Sequence, residues 1–575
     1  MNYLLRKTFE NRGYTDSFLS SIDDSSHDRL KDVDFLISRL KQIHDLGFRI
    51  VILPDFDMDG ICSGVTGFAG LAELGFNVGL YIPDPNDGYG FNEYVIDKII
   101  SMYPDVKAII SCDTGTSCTA GINYAVSKDI EMLITDHHKQ KFVVQNATCI
   151  VNPMRMDETY AHPSICGAYV FYQVLEAYAE SYTDRDMLEQ IKRLRVFAGI
   201  GTVSDMMPVL YENRQLLRDA INICRLLFSD NDSSILQYIH GCDIYRRAFW
   251  GLFYVFSGFA TMGDIESTSD IDEEFFGYYF APMFNSVKRM DGDMSMAFGM
   301  FFGNTPLDNF DYLYQLNEKR KTEVKMFLKE LGEIDQPYAP YVYFSTARPG
   351  ILGLLAQDVM KVSGVPSIVV SARDNGRFAG SGRSPVWYPF LDLTENVFLQ
   401  DDDTFFAAGH NPAFGVGFSD EHHIQMLYDF LSKDVVTVFS SLDVTEAVPD
   451  FVISTLGDGD IGLDIVMFAE YLSELHGRRP FGVGFEKPCI TLKFKVNEGV
   501  WKVIGQMKEH LKISLPMGFD VLVWNRADAM PDDLKSDSVV ELSGYLSMNY
   551  FRGVHSVSFV GNFTNDDFVG EGIDG

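Results

Sequence analysis

The chain has little positive charge and no long apolar stretch. Its 47 lysines and arginines stand against 81 aspartates and glutamates, which gives a formal net charge of -34 over 575 residues. Without about 18 consecutive apolar residues, a membrane-spanning helix is not expected. The first residues also lack the apolar core of a secretion signal. The eight cysteines form no CxxC pair, which is typical of reduced thiols in a cytoplasmic protein.

Three apolar segments, at 50–53, 106–110 and 132–135, each run into acids or histidines. The side chains that follow them, with a fourth acid after the small run 201–204, are Asp55, Asp57, Asp59, Asp113, Asp136, His137, His138 and Asp205. In open parallel α/β sheets, the carboxyl ends of the strands bind ligands. The pattern therefore predicts one site built from separate parts of the chain.

Such a concentration of carboxylates needs something positive to hold it together. Two like charges about 4 Å apart repel by about 4 kcal/mol at an effective dielectric near 20, so converging acids take up protons or bind cations. Oxygen ligands with an imidazole favour Mn²⁺ or Mg²⁺ over a zinc site closed by thiolates. Two metals about 4 Å apart would suit cleavage of phosphate esters. The predicted metal ligands are Asp55, Asp57, Asp59, Asp113, His137 and Asp205.

Two simpler interpretations account for only part of these residues. A calcium loop starting at Asp55 requires a glutamate at its twelfth position, where this chain has Thr66. A pair of adjacent histidines is usually surface decoration, but here it coincides with the acids that follow the other segments. The metal site is the interpretation that accounts for all of them.

The hydrophobic pattern predicts an α/β multidomain protein. Strands expected at 48–54, 78–82, 106–111, 131–135 and 148–151 alternate with helices, which indicates a doubly wound parallel sheet. Helical pattern then dominates to about residue 330. A second, smaller α/β unit follows at 341–440, with a glycine-rich loop at 377–384, and the last stretch is β-rich.

These motifs resemble those of the DHH phosphoesterases, and later segments resemble the RecJ branch, the exonucleases specific for single-stranded DNA. The segments that carry the second resemblance are Pro282-Met-Phe-Asn285 with Arg289, Leu316-Asn-Glu-Lys-Arg320, Pro349-Gly-Ile-Leu-Gly353, Gly380-Ser-Gly-Arg-Ser384, Ala408-Gly-His410 and Pro480-Phe-Gly-Val-Gly484. The likeness runs from about residue 48 onward. One departure is before Asp87, where the family usually has a basic residue that helps to hold the 5′ end of the strand.

The resemblance implies a domain layout. The expected parts are an N-terminal helical segment (1–47), a DHH catalytic domain (48–215), a helical connector (216–335), a DHHA1 substrate-binding domain (336–445) and an OB-fold, a β-barrel that binds nucleic acid (446–575). In the last of these, Trp501 and Trp524 are expected in the barrel core. Candidate contacts to the strand there are Trp501, Lys502, Lys508, Lys512 and Tyr550.

The resemblance also implies roles for residues. The expected catalytic residues are Asp57, Asp59, Asp113, Asp136, His137, His138 and Asp205. The expected substrate-binding residues are Asn285, Arg289, Ser381, Arg383, Ser384, Gly409 and His410. Arg383 offers a planar fork suited to a phosphate.

The implied activity is that of a hydrolase, a metal-dependent single-stranded-DNA exonuclease with two Mn²⁺ or Mg²⁺ ions. Polarity would be 5′→3′ with release of mononucleotides, in recombination and repair. Expected partners are single-stranded DNA and either a single-strand-binding protein or a helicase, with a monomeric chain and no membrane. Rival interpretations are a phosphodiesterase acting on short oligonucleotides or cyclic dinucleotides, and a non-catalytic replication scaffold.

The negative net charge opposes a DNA substrate, because a nucleic-acid enzyme usually has a basic footprint. The field that matters is local to the cleft. We therefore expect the basic residues to cluster along one groove beside the acids.

Overall fold

Five short apolar segments near the start of the chain form an all-parallel sheet in the computed structural model. They are β1 (Arg49–Pro54), β2 (Val78–Leu80), β3 (Val106–Cys112), β4 (Glu131–Thr135) and β5 (Cys149–Val151). The order across the sheet is β2-β1-β3-β4-β5, which confirms the predicted doubly wound sheet. This order places the topological switch point between β1 and β3, where open α/β sheets bind ligands.

The residues that the structure describes are 1–24, 28–84, 87, 90–140, 143–229, 240–373, 375–395, 404–441, 449–505, 508–524, 526–531, 537–551 and 554–563. No helix in these ranges is both long and apolar enough to cross a membrane.

Helices cover the first sheet, and one of them is almost entirely buried. They are α3 (Val33–Asp45), α4 (Met58–Glu73), α5 (Glu93–Met102), α6 (Thr119–Ser127) and α7 (Gly167–Tyr182). The helix α4 packs closely on α7 because its facing residues are small. A Cβ atom on Gly67 would lie 2.0 Å from the ring of Phe171. The amino end of α4 is thereby fixed at the edge of the sheet.

The stretch after α7 is helical, as predicted. Its longer helices are α8 (Arg185–Arg193), α9 (Arg195–Ser204), α10 (Tyr211–Phe228), α11 (Asp243–Met262), α12 (Ala281–Arg289), α13 (Met294–Phe302) and α14 (Pro306–Glu333). Aromatic rings fill the spaces between them. Phe259 of α11, for example, packs edge-on against Phe310 of α14 with ring centroids 5.2 Å apart. Of these helices, α9, α12 and α14 carry residues of the site.

A second sheet is mixed and has the order β6-β7-β8-β10-β9. Its strands are β6 (Val342–Phe344), β7 (Ser367–Ala372), β8 (Phe378–Arg383), β9 (Phe405–His410) and β10 (Ala413–Phe418). The accompanying helices are α15 (Pro349–Ser363), α16 (Phe390–Glu395) and α17 (Glu421–Ser441). One face packs on α17 through Phe414, Val416 and Phe418, and Val369 on the other face packs on α15.

The segment predicted as a glycine-rich loop is instead the strand β8, so that prediction was wrong. Its glycines serve the packing of the sheet. A Cβ atom on Gly382 would lie 2.2 Å from the ring of Phe414 on the neighbouring strand, and one on Gly380 would lie 2.0 Å from the Val369 carbonyl oxygen. A glycine pattern alone does not distinguish close approach to a phosphate from close approach to another strand.

The β-rich C-terminal region contains one seven-stranded sheet, of order β11-β12-β16-β17-β15-β14-β13. Its strands are β11 (Phe451–Ser454), β12 (Ile490–Lys495), β13 (Val500–Ile504), β14 (His510–Leu515), β15 (Phe519–Val523), β16 (Val539–Phe551) and β17 (Val554–Phe563), joined by the helix α18 (Ile465–His476). Trp501 is buried as expected, whereas Trp524 is 48% exposed and is not a core residue. Lys512 is ion-paired with Asp520 at 2.7 Å, and the side chain of Tyr550 lies outside the described residues.

The chain divides into two compact units. One comprises residues 1–24, 209–211 and 445–575, and the other comprises residues 25–208 and 212–444. The predicted N-terminal segment 1–47 is therefore split. The helices α1 (Tyr3–Asn11) and α2 (Asp16–Ser21) belong to the unit with the seven-stranded sheet, where Leu4, Leu5 and Phe9 join its core. Apart from residues 209–211 and 445, the predicted DHH (48–215), connector (216–335) and DHHA1 (336–445) parts lie in the second unit, which also holds every residue of the candidate site.

Candidate metal centre and cationic cluster

The turn between β1 and α4 positions the first two predicted ligands. Asp55 is buried, and its amide donates to the Cys112 carbonyl of β3 at 3.1 Å. Asp57 is the N-cap of α4, because its carboxylate accepts the amide of Gly60 at 3.0 Å. Both carboxylates are thus fixed at the carboxyl end of β1.

Asp59, in the first turn of α4, is held by a second helix. Its carboxylate accepts the amides of Gly167 at 2.6 Å and Ala168 at 3.1 Å, which are unpaired donors at the start of α7. The motif glycine Gly201 on α9 comes very close to it, since a Cβ atom there would lie 2.4 Å from Asp59 Oδ1. Any larger residue at position 201 would displace this carboxylate.

His137 faces three carboxylates that come from different segments. Its Nδ1 hydrogen-bonds to the Ile165 carbonyl oxygen at 2.8 Å. That bond fixes the tautomer, so Nε2 presents its lone pair to the acids. Nε2 lies 3.1 Å from Asp113 Oδ1, 3.5 Å from Asp205 Oδ2 and 3.9 Å from Asp59 Oδ2. The strand ends predicted to meet do meet, around this nitrogen.

Asp136 has a different environment from the other acids. Its carboxylate accepts the amides of Thr116, His137 and His138 and the Nδ1 of His138, all between 2.8 and 3.1 Å. Burial disfavours the charge, but the hydrogen bonds from His138 and Thr116 outweigh it and lower the pKa of Asp136. Burial likewise opposes protonation of His138, but Asp136 raises the pKa of His138 to about 9. His138 is therefore a cation at neutral pH.

The remaining acids are held where their charge is unfavourable. Burial, with the charge of Asp57, raises the pKa of Asp55 to about 7. Burial also raises the pKa of Asp205 to about 7, although His137 opposes the shift. Burial raises the pKa of Asp59, and burial together with Asp59 raises that of Asp113. Without a cation, these carboxyls are harder to ionise than ordinary aspartates.

The residues present fit a divalent metal cluster. Asp113 Oδ1 is buried and accepts no hydrogen bond within the described residues. His137 Nε2 lies 3.1 Å away, but it presents a lone pair and not a proton, so a cation between the two atoms would satisfy both. Three sets of side chains bring ligand atoms within 4.8 Å of one another, namely Asp113 with His137 and His138, Asp59 with His137 and Asp205, and Asp55 with Asp57 and Asp113. The sets share members, so they form one continuous cluster of oxygen and imidazole ligands.

The helix α12 brings Asn285, Lys288 and Arg289 to the edge of the first sheet where the acids lie. The Asn285 side chain accepts the amide of Met58 at 2.8 Å and so orients the amino end of α4. Lys288, which the sequence interpretation missed, places Nζ 3.5 Å from the centre of the Phe56 ring. Lys288 is exposed as a whole, but desolvation of its ammonium group lowers the pKa of Lys288, and Asp55 and Asp57 oppose the shift. The ammonium group therefore lies in the field of the acid cluster.

Three arginines gather beside the acids. Burial, with the charges of Arg320 and Arg383, lowers the pKa of Arg289 to about 10, and burial lowers the pKa of Arg320 and of Arg383. Arg383 Nη1 donates to the Gly382 carbonyl at 2.8 Å, and Arg320 Nε donates to Asn317 Oδ1 at 2.9 Å. Within the described parts of the chain no ion pair neutralises any of the three. Arg320 is the last residue of the segment 316–320. It lies three residues after Asn317 on the same helix, and this spacing was the sequence signal that could have identified it.

The other predicted substrate-binding residues lie on or near the second sheet. Ser381 is on β8, two residues from Arg383. Ser384 is buried, and its hydroxyl donates to the Tyr388 carbonyl at 2.6 Å. Gly409 is exposed and has a φ of +136°, which favours glycine. His410 pairs with Ala413 on β10, and its side chain lies outside the described residues.

Two family models match the chain. The model described as the DHH family, N-terminal domain, matches residues 49–200, and the model described as the RecJ OB domain matches residues 459–561. The first match covers β1–β5 and most of the acid cluster. The second covers most of the seven-stranded sheet.

Curated relatives match almost the whole chain. The single-stranded-DNA-specific exonuclease RecJ of Haemophilus influenzae is 25% identical over 563 residues, covering 92% of this chain and 90% of its own. That of Escherichia coli is 24% identical over 567 residues, covering 92% and 89%. The crystal structure of Thermus thermophilus RecJ with Mn²⁺ has a TM-score of 0.71 at 19% identity, covering 99% of this chain and 76% of that one. This last likeness shows a common fold.

Residues 49–200, which hold most of the acid cluster, are similar to the DHH-domain proteins. Along nine-tenths of its length the chain is also similar to RecJ proteins, and its residues 459–561 match the model of the RecJ OB domain.

Proposed function

We propose that this chain is a metal-dependent exonuclease that hydrolyses phosphodiester bonds in single-stranded DNA. The observation that carries the proposal is the pair formed by the acid cluster around His137 Nε2 and the arginines beside it. A phosphodiester needs cations on its oxygens, and this edge of the sheet offers metal ligands and fixed guanidinium groups together. The relatives, named as exonucleases of this specificity, support it.

The proposed metal ligands are Asp55, Asp57, Asp59, Asp113, His137 and Asp205. Two divalent cations, Mn²⁺ or Mg²⁺, would supply an activated water and offset charge on the phosphoryl oxygens when bound. The residues around the ligands hold them in place. Gly167 and Ala168 orient Asp59, and the Ile165 carbonyl directs His137 Nε2 toward the acids.

Cationic side chains hold the substrate in this proposal. His138, kept protonated by Asp136, and Arg383 donate to oxygens of the scissile phosphate. Arg289 and Arg320 bind the phosphates next to the scissile one. Ser381, Gly409 and His410, on strands of the second sheet, also contact the substrate. A phosphate among the three arginines would offset their mutual repulsion, which supports this assignment.

The finer parts of the proposal concern direction and context. Digestion proceeds 5′→3′ with release of 5′-mononucleotides, and the chain acts as a monomer in the cytoplasm during recombination and repair. A single-strand-binding protein or a helicase supplies the strand. The exposed Trp524 and the basic residues of the C-terminal unit offer a platform for stacking.

One digestion experiment tests the proposal. A single strand labelled at the 5′ or the 3′ end is incubated with the protein and Mn²⁺, Mg²⁺ or chelator. We expect metal-dependent loss of single strand, immediate release of a 5′-labelled mononucleotide, and no digestion of the matching duplex. Equal cleavage of a free dinucleotide and a long strand would favour a small-substrate phosphodiesterase. No hydrolysis with any metal would refute the enzyme.

A further inference from the structure

A cavity of about 480 Å³ opens at the end of the second sheet, where β8 begins and β10 ends. Its lining includes the aromatic Phe378 and Phe406, the cationic Arg373 and Arg377, and the polar Thr404 and Ser419. The volume is within the range of sites that hold small molecules. No residue of the metal centre or of the three-arginine cluster lines it.

The pairing of the strands explains why this cavity exists. Phe406 on β9 pairs with Gly417 on β10, and Gly417 pairs with Ala379 on β8. Directly paired residues of antiparallel strands share a face, so an aromatic ring lies beside two positions with almost no side chain. A Cβ atom on Gly417 would lie 3.3 Å from Phe406 Cδ1. The ring is 42% exposed, and its surroundings leave it open to a ligand.

The same face of β8 carries Arg383 of the cationic cluster. Ala379, Ser381 and Arg383 alternate with the core-facing residues of this strand, so all three lie on the face opposite the α17 core. Four residue steps separate Ala379 from Arg383, about 14 Å in a strand. An extended ligand bound at Arg383 would therefore reach the cavity along this face.

The charges around the cavity indicate its occupant. Arg373 and Arg377 flank the turn between β7 and β8, where the Arg373 amide donates to the Arg377 carbonyl at 2.7 Å. Both are exposed, and neither forms an ion pair with any residue in the described ranges. In a chain of net charge -34, two arginines next to an exposed ring are a local site for an anion with a flat apolar face. A nucleotide has both parts.

We propose that the Phe406 cavity binds one nucleotide of the single-stranded substrate, several positions from the scissile phosphate. Its base stacks on Phe406, and Arg373 and Arg377 contact the adjoining phosphates. This inference rests on the proposed function, because it extends the same strand from Arg383 along the sheet. It predicts that substrate length matters, since a dinucleotide held at the metal centre cannot reach the cavity.

The test compares a dinucleotide with a 12-nucleotide oligothymidylate, both with Mn²⁺. For Phe406→Ala we expect KM for the long strand to rise about fivefold or more, the loss typical of one stacked base, with dinucleotide cleavage unchanged. Phe406→Trp should restore the long-strand KM. The double variant Arg373→Ala/Arg377→Ala should reduce the dependence of long-strand affinity on salt. Phe35→Ala and Arg185→Ala, exposed residues elsewhere in the same unit, serve as matched controls.

Two results for Phe406→Ala overturn the inference. One is an unchanged KM for the long strand. The other is an equal loss of cleavage of both substrates, which would mean damage to the fold. If the proposed function is wrong, the wild-type protein cleaves neither substrate. In that case fluorescence anisotropy of the labelled oligothymidylate, without metal, still decides. Weaker binding by Phe406→Ala than by Phe35→Ala supports the cavity, and equal binding refutes it.

Discussion

His137 Nε2 lies 3.1 Å from Asp113 Oδ1, although the two residues belong to different strand ends. The opposite ring nitrogen bonds to the Ile165 carbonyl, so two lone pairs face each other across this gap. Asp113 reaches it only because its backbone has a φ of +62°, a conformation that aspartate tolerates better than most residues. The arrangement is stable when a proton or a metal cation lies between the two groups.

Replacing Asp113 with alanine should abolish hydrolysis by removing a ligand that belongs to two of the three sets. Binding of a single strand should persist, because the arginines are untouched. Turnover and fluorescence anisotropy of a labelled strand measure the two effects separately. Asp311→Ala, an exposed acid on α14, is the control and should change neither. Wild-type turnover in Asp113→Ala would contradict the metal assignment.

Stability of the metal-free protein should fall as the pH rises from about 4 to about 7. The pKa of Asp55 and of Asp205 is about 7 in the folded chain, above the usual value near 3.9 in an unfolded one. These two carboxyls therefore bind more protons in the folded state in this range, and the stability that they contribute is fully present below pH 4 and is lost as they ionise. For the buried Asp55 the loss is about 2–4 kcal/mol.

Denaturant unfolding at several pH values, with chelator, measures this loss. Added Mn²⁺ should remove most of it at pH 7, because a ligand that binds only the folded state stabilises it by mass action. Asp55→Asn should flatten the same pH dependence. The same pH dependence in the wild-type protein and in Asp55→Asn would contradict the burial of Asp55.

The sequence was sufficient to predict the parts of the site that follow strands. Asp55, Asp113 and His137 each come directly after an apolar run, and parallel strands bring their carboxyl ends to one edge. Arg320 and Lys288 were missed because they come from helices, where only the packing of α12 and α14 determines which face meets the acids. The strand β8 was missed because Gly380 and Gly382 lower strand propensity, and the space they leave is used by Phe414 and Val369, which no local pattern reveals.

Alanine at Arg383 should weaken substrate binding more than it slows turnover. Its guanidinium is one of three half-buried cations without an ion pair in the described residues, so its removal also relieves repulsion. We expect a higher KM, a salt dependence of binding reduced by about one ion, and unchanged or slightly higher stability of the free protein. Arg320→Ala should behave in the same way, with Arg185→Ala as the exposed control. A lower melting temperature with unchanged KM would mean that the arginines are structural.

The last prediction concerns the unit that contains the seven-stranded sheet. Arg12 of the N-terminal segment donates two hydrogen bonds to Asp450, at 2.6 and 2.8 Å, and the Cys489 amide donates to the same carboxylate at 2.6 Å. The Asp450 side chain is only 5% exposed. Removing one partner of a buried pair leaves the other charge uncompensated, at a cost of about 3–5 kcal/mol.

Asp450→Ala should therefore destabilise this unit by several kcal/mol, whereas Asp537→Ala should have little effect. The carboxylate of Asp537 is 80% exposed and lies 3.8 Å from Lys495, and such surface pairs contribute about 0–1 kcal/mol. Hydrogen–deuterium exchange of β11 and β12 reports on this unit directly and should accelerate in Asp450→Ala alone. Since the proposed metal ligands belong to the other unit, the expected Mn²⁺-induced stabilisation of that unit should survive. Equal exchange in the two variants would mean that Arg12 finds another partner, and the N-terminal segment would then owe its position to Leu4, Leu5 and Phe9 rather than to this ion pair.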